Sequence, residues 1–325
     1  MNSINTLFKI QIFGESHGEG VGVVLDHVPP GIALSAADFS ADMARRKGGQ
    51  KGGTPRVEKD EPEIKTGIFN GYTTGAPIMI WLPNENTRSG DYDKQRSVFR
   101  PGHADFVAHH KFKGFEDYRG GGHFSARVTG PIVAAGVIAK KILKNITIDA
   151  CVTEVGGNPN IEEGLQKAIE QKDSVGGIVS CTIKGVPIGW GEPFWNSIES
   201  SLAQAMFAIP AVKGIEFGAG FGAARMTGTE HNDQFTDADG NSETNNAGGI
   251  LGGIANGQDI RFNIAIKPTA STPKTQHTYD RAHQSVVPFS VKGRHDLCVA
   301  LRAPVIVEAM AALVLADFYL ISKTR

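Results

Sequence analysis

Strand-like and helix-like patterns alternate along the second half of this chain with no linker between them, which confines it to a layered mixture of helix and sheet. Residues 146–155 read as a strand, 161–172 as a helix, 177–184 as a strand, 198–209 as a helix and 212–217 as a strand. Residues 259–267 alternate as a further strand, and 303–321 form a last apolar helix. The first half has a similar rhythm: strand patterns at 7–13, 21–28, 63–69 and 77–82, and a long apolar helix over 128–143. Ser35 and Asp38 have the spacing of a capping box, and Phe39 and Met43, four apart, mark the buried face of the helix that follows. The polar stretches 227–246 and 269–284 are expected to be loops, the first of them mobile. These elements predict a single α/β (α+β) domain over residues 1–325, with a loose duplication of rhythm but no repeat in sequence.

A hydrophobic fraction of 40% and a charged fraction of 21% fit a soluble globular protein. The net charge of −1 argues against a dedicated nucleic-acid binder. Cys151, Cys181 and Cys298 lack metal-ligand spacing, and an odd, sparse count implies a reducing compartment without a disulfide framework. No basic–apolar–small signal segment opens the chain. The longest apolar stretch, 303–318, carries Glu308 and Asp317 and falls short of a membrane span. A cytoplasmic protein with no nucleic-acid or membrane partner and no metal site is expected. Glycine is the outlier: 40 of 325 residues, about 12% against an average of about 7%, clustered without a period. Such clusters suit tight turns beside a ligand.

The densest chemistry lies in residues 100–127. That segment supplies His103, His109, His110 and His123, together with Arg100, Arg119, Arg127 and the triple glycine Gly120, Gly121 and Gly122. Histidine exchanges protons near neutrality, arginine forks grip phosphate and carboxylate, and glycines let backbone N–H groups approach an anion. Related signals are His17 among glycines after a strand, the Arg45-Arg46 pair, the turn Lys267-Pro268-Thr269-Ala270-Ser271, and Gly293-Arg294-His295-Asp296 before the last helix. A basic, Gly-rich loop over 47–59 carries Lys47, Lys51, Arg56 and Lys59 against Glu58, and its start is expected to be mobile without ligand. Two tempting motifs fail. Gly14-Glu15-Ser16-His17-Gly18 has the form of a hydrolase nucleophile elbow but is followed by a strand-like segment where a helix is needed. Gly218 to Ala223 has the form of a dinucleotide fingerprint, but no amphipathic helix follows it.

Taken together these segments resemble the chorismate synthase family over essentially the whole chain. The resemblance rests on F-G-E-S-H-G at 13–18, V-P-P-G-I at 28–32, A-R-R at 44–46 and G-I-F-N-G-Y-T-T-G-A-P at 67–77. It continues in R-P-G-H-A-D at 100–105, Y-R-G-G-G at 118–122, S-A-R at 125–127, N-A-G-G-I-L-G-G-I at 246–254, K-P-T at 267–269 and G-R-H-D at 293–296. It implies a β-α-β sandwich with helices between antiparallel sheets, a homotetramer, and the anti 1,4-elimination of phosphate from 5-enolpyruvylshikimate 3-phosphate to give chorismate. Reduced FMN is the implied cofactor, with NADPH or an external flavin reductase as the source of electrons.

By the same resemblance His17 is the acid at the leaving phosphate, His103 acts beside the flavin, and Asp296 accepts a proton near flavin N5. Flavin contacts map to His123, Phe124, Ser125, Ala211, Gly252, Lys267, Pro268, Thr269, Ala270, Ser271 and Arg294. Arg45, Arg46, Arg56, Arg127 and Arg294 are candidates for clamping the substrate's anionic groups, with Arg46 and Arg56 also linked to NADPH. Two departures stand out. Many relatives carry Arg-Ser-Ser where this chain has His123-Phe124-Ser125, and the basic loop differs in length from many bacterial versions. The rival enzyme class is an FMN-dependent oxidoreductase with net electron transfer, and the rival non-enzyme class is an anion- or RNA-binding module using the basic loop.

Overall fold

The computed structural model describes residues 2–54, 58–87, 96–291 and 295–324. Its first half builds a five-stranded antiparallel sheet from β1 (Ser3–Ile4), β2 (Ile10–Gly14), β3 (Gly20–Leu25), β4 (Glu63–Ile64) and β7 (Ile78–Pro83), in spatial order β1-β2-β3-β7-β4. A small hairpin, β5 (Ile68–Phe69) and β6 (Tyr72–Thr73), lies apart from it. The register pairs Val21 with Leu82, Val23 with Ile80 and Leu25 with Ile78, and all six side chains are buried. This is the alternating apolar face of a half-buried sheet. On the other face Phe13 and Trp81 stack with ring centroids 6.0 Å apart across Gly22, the residue both strands pair with.

The second half builds a four-stranded antiparallel sheet from β8 (Thr147–Val155), β9 (Gly177–Lys184), β10 (Val212–Phe217) and β13 (Ile260–Ile266), in order β10-β13-β9-β8. Two hairpins accompany it: β11 (Ile250–Leu251) with β12 (Ile254–Ala255), and β14 (Gln276–Asp280) with β15 (Ser285–Phe289). Between the two sheets lie α1 (Ser40–Arg46), α3 (Thr129–Ile142), α5 (Ile198–Phe207) and α7 (Pro304–Ser322). α3 packs on β3 and β7, α7 packs on β8 and β9, and the two helices pack on each other. The outlying helices are α2 (Asp105–Lys111), α4 (Ile161–Gln171), which packs on β8, and α6 (Gly228–His231). The architecture is the expected sandwich, with helices enclosed by antiparallel sheets.

α3 and α7 are buried along most of their length because both are apolar on every side. They meet where Gly136 faces Ala309; a Cβ at Gly136 would stand 2.6 Å from the Ala309 Cα. At 19 residues α7 is long and apolar enough to cross a membrane by length and composition, which corrects the reading that this segment is too short. Its place is nevertheless the core, and its two carboxylates are fully engaged. Asp317 accepts the backbone N–H groups of Thr6, Leu7 and Phe8 at 2.9, 2.7 and 2.8 Å. Glu308 receives Arg45 at 2.5 Å, Lys140 at 3.0 Å and the Ala150 N–H at 3.2 Å. Burial alone would raise the Glu308 carboxyl, but Arg45 and Lys140 outweigh it and hold the group below its ordinary value.

Strands 177–184 and 212–217 appear with the expected bounds, and the Ser35 capping box is realised, with the Ser35 N–H donating to Asp38 at 2.7 Å. The expected strand over 63–69 is two separate strands, β4 and β5. One expected loop is corrected. Part of 269–284 is strand β14, whose polar residues sit on an exposed hairpin and carry no apolar alternation to betray it. The expected loop over 227–246 holds only the short α6, and Asp233 accepts the Asn246 and Ala247 N–H groups at 2.7 and 2.9 Å and the Thr244 hydroxyl at 2.6 Å within it.

The closeness of α3 and α7 generates a stability prediction. Gly136→Val should lower the free energy of unfolding by about 1–3 kcal/mol, because the added atoms must push two buried helices apart. Denaturant unfolding of the variant against the parent checks it, and an unchanged midpoint would refute the claim that the layer is closed at this point.

Candidate active site

The helical layer ends in a cleft of about 740 Å³, open where the end of α1, the glycine turn, the first turn of α3, the end of α5, the K-P-T-A-S turn and the approach to α7 come together. The glycine turn forms one wall. Gly120, Gly121 and Gly122 have φ of 59°, 82° and 53°, the left-handed region that side chains disfavour. Absence of side chains matters as much as the dihedrals. A Cβ at Gly120 would stand 2.6 Å from His17 Nε2 and 3.2 Å from Ser16 Oγ, and one at Gly121 would stand 3.1 Å from His103 Cε1. Two imidazoles thus lie directly against bare backbone, and the Ser16 N–H fastens the segment that carries His17 to Gly122 O at 3.1 Å.

Behind the opposite wall sits a buried cluster of charge. Asp60 accepts from Arg46 Nη1 at 3.0 Å through one oxygen and from Arg127 Nη1 through the other. Arg46 spends its remaining reach on Thr129 Oγ1 at 3.1 Å and on the carbonyls of Ala126 and Arg127 at 2.9 and 3.2 Å. Arg127 donates further to Asn84 Oδ1 at 2.9 Å and Pro83 O at 3.1 Å. Burial lowers the Arg46 guanidinium to about 10 against the pull of Asp60, and it stays charged at neutral pH. Burial would raise Asp60, but the two guanidiniums overcome it and hold the carboxyl below its ordinary value.

The other titratable groups of the cleft are braced in a similar way. His103 Nδ1 lies 2.6 Å from Asp105 Oδ1, and Arg100 grips Asp105 as a fork, Nε to Oδ2 at 2.7 Å and Nη2 to Oδ1 at 2.8 Å. Burial would raise Asp105, yet the bonds from Arg100 and His103 hold it far below the usual carboxylate range. Arg100 Nη1 also reaches Ser271 Oγ at 3.3 Å, tying this assembly to the K-P-T-A-S turn. Lys267 Nζ donates to Gly102 O at 3.0 Å, and the Lys267 N–H to Ala211 O at 2.9 Å. Asp296 accepts from the Thr54 N–H at 2.8 Å and from Arg302 Nη2 at 2.5 Å. His123 Nδ1 lies 2.7 Å from Gly14 O, so that nitrogen carries the proton and donates it.

This arrangement answers to one family. A sequence model described as chorismate synthase matches residues 8–320. The chain belongs to the chorismate synthase family. It is similar to a chorismate synthase from Chitinophaga pinensis, 60% identical over 324 residues that cover 99% of this chain and 98% of the relative. One from Cytophaga hutchinsonii is 45% identical over 99% of this chain and 98% of its own length. A solved structure titled "Crystal Structure of Chorismate Synthase" superposes with a TM-score of 0.72 at 27% identity, covering 98% of this chain and 92% of that one. Chorismate synthases are lyases of the shikimate pathway, and that is the activity of this chain.

Most of the residues expected from the chorismate synthase motifs line the cleft: His17, His103, Asp296, Arg46 and Arg127, with His123, Phe124 and Ser125, Ala211, and Lys267, Pro268, Thr269, Ala270 and Ser271. Arg45 does not. One residue from Arg46 on α1, it turns about 100° away and is taken by Glu308 at 2.5 Å and Asp42 at 3.4 Å. Gly252 also lies outside, on the β11–β12 hairpin. Arg56 and Arg294 fall outside the described residues. At the start of the basic loop Gly52 O accepts the Leu297 and Cys298 N–H groups at 2.9 and 3.1 Å, so the loop docks on the segment that carries Asp296. Four cleft residues or their partners escaped the sequence reading as site residues. Arg100 and Asp105 were in view inside R-P-G-H-A-D, whereas Asp60 and Arg302 gave no signal beyond isolated charge.

Asp60 generates the second prediction. Asp60→Asn should cost about 3–5 kcal/mol at neutral pH, because it strands two buried guanidiniums. The sign with pH follows from the depressed carboxyl. Its contribution is complete above the ordinary carboxylate value and is lost as pH falls through the lowered one, so the variant should show a flatter acid limb. Melting temperatures from neutral pH down through the carboxylate range test both, and parallel curves would refute the assignment.

Proposed function

We propose that this cleft carries out the anti 1,4-elimination that converts 5-enolpyruvylshikimate 3-phosphate to chorismate and phosphate, with reduced FMN held beside the substrate. The observation that carries the reading is the meeting of His17 and His103 on one glycine turn, in a cleft that also holds Arg127, Lys267 and Asp296. Loss of a phosphate dianion needs a proton or a positive charge at the departing oxygen, and preorganised cations stabilise it without rearrangement. His17 is the group for the leaving phosphate. His103 holds a proton on the opposite flank of the glycine turn. Asp296, aimed by Arg302 and the Thr54 N–H, is the carboxylate that would accept a proton beside the flavin. Arg127 retains donors for the substrate's anionic groups, while Arg46, its hydrogen bonds largely consumed inside the protein, supports Arg127 from behind.

The cleft fits a flavin. Thr269 Oγ1 and Arg302 Nε are buried polar atoms of its wall without a hydrogen-bond partner among the described residues, and Phe124, Ala211 and Val299 offer apolar surface to a ring. The chemistry that reduced FMN supplies when bound is a transient source of electrons in a reaction without net redox change. His123, Phe124, Ser125, Ala211 and the stretch from Lys267 to Ser271 are the residues to hold it. Gly252, remote from the cleft of its own chain, would meet flavin only across a subunit boundary, which a homotetramer allows; the exposure of Phe194 and Trp195, 81% and 90%, favours such an assembly. NADPH or an external flavin reductase supplies the reducing equivalents in the cytoplasm.

The deciding experiment is an anaerobic assay of phosphate release from 5-enolpyruvylshikimate 3-phosphate with chemically reduced FMN. His17→Ala and His103→Ala should each lower turnover by about 10²- to 10⁴-fold. Arg127→Lys, chosen over alanine because Arg127 is buried against Asp60, should raise KM more than it lowers kcat. Near-normal turnover in both histidine variants removes them from the chemistry, and oxidation of one NADPH per chorismate would establish the oxidoreductase reading instead.

A further inference from the structure

We propose that Asp105 is the positioning residue that decides which nitrogen of His103 carries the proton, and that Arg100 fixes Asp105 for this task. The proposal rests on the reading of His103 as a proton-handling group and deepens it. His103 Nδ1 has two polar neighbours of opposite character: Asp105 Oδ1 at 2.6 Å, which can only accept, and Arg100 Nη2 at 3.1 Å, which can only donate. A bare Nδ1 would accept a hydrogen bond from Arg100, and a protonated Nδ1 donates one to Asp105. The ring is therefore poised between two tautomers, and the shorter, charge-assisted contact selects Nδ1–H.

That choice leaves Nε2 on the side of the glycine turn, where a Cβ at Gly121 would stand 3.3 Å away and where no charged side chain stands on the turn itself. Two cations stand near the ring. Arg100 lies alongside it, and Lys267 Nζ is fastened to Gly102 O, the carbonyl just before it, at 3.0 Å. Asp105 thus also balances the positive surroundings of an imidazolium. The carboxylate cannot turn away, because the Arg100 fork occupies both its oxygens and the Arg100 N–H adds a third contact at 3.3 Å.

The test reads the tautomer directly by long-range ¹H–¹⁵N NMR on the full chain without ligands, with His103→Gln to assign the signals. In the parent the neutral ring should carry its proton on Nδ1. In Asp105→Asn the acceptor becomes an amide able to donate, Arg100 remains a donor, and the proton should move to Nε2. Asp105→Glu should restore Nδ1–H. Turnover of Asp105→Asn should fall by about 10²- to 10⁴-fold with KM little changed, the signature of a group that acts on chemistry and not on binding. A parent ring protonated on Nε2, or an Asn variant with the parent tautomer, overturns the proposal. The parent spectrum alone decides it if the Asn variant does not fold. Reversal of the tautomer with normal turnover would uphold Asp105 as the positioning residue and sink the catalytic role of His103.

Discussion

The approach of α3 to α7 is the contact on which the rest of the molecule is hung. Gly136 and Ala309 let two largely apolar helices lie closer than ordinary side chains permit, and each helix then has one sheet as its outer neighbour. α3 presents its first turn to the cleft through Thr129 and Ile132, and the short turn that leads into α7 lines it through Val299 and Arg302. Helix N-termini carry partial positive charge. The packing that closes the core therefore also sets the positive end of α3 at the mouth of the cleft, before any arginine is counted.

The described arginines and aspartates of the cleft are paired with opposite charges before a ligand arrives. Asp60 faces Arg46 and Arg127, Asp105 faces Arg100 and His103, and Arg302 faces Asp296. Unpaired charges in such burial would be prohibitive, so the pairs are what permit the site to be this enclosed. They also limit motion. A preorganised site stabilises developing charge without reorienting at the moment of reaction, and these pairs supply the rigidity that such stabilisation needs. The same pairing means that Arg46 and Arg127, expected from the sequence as clamps for the substrate's anionic groups, belong to the packed structure as much as to the cleft.

Much of the fold was legible because the signals were local. The strands at 177–184 and 212–217 alternate cleanly, the helix after Ser35 announces itself by its cap, and three consecutive glycines mark a turn that tolerates no side chain. The partners were not legible, because pairing is a property of space. Arg45 and Arg46 are neighbours in the chain, yet a helix rotates successive residues by about 100°, so one meets Glu308 and the other Asp60. Asp60 and Arg127 are 67 residues apart and nothing in either segment points to the other. The hairpin β14–β15 escaped for a related reason: its pairing is made by backbone, and its exposed side chains are free to be polar.

The order of elements along the chain has a consequence for how the protein is made. α7 emerges from the ribosome after every strand of both sheets, yet it is the helix against which β8, β9, α3 and α5 all rest. Until it arrives, the inner faces of those elements have no cover, and the nascent chain must carry a large apolar surface through synthesis. When α7 does emerge, it is as hydrophobic as a segment destined for a bilayer, so its docking is a race between its own core and every other greasy surface in the cell. Asp317, which collects three backbone N–H groups from Thr6, Leu7 and Phe8, stitches α7 to the segment just ahead of β2. That stitch and the cover of the inner sheet faces both wait on the same helix.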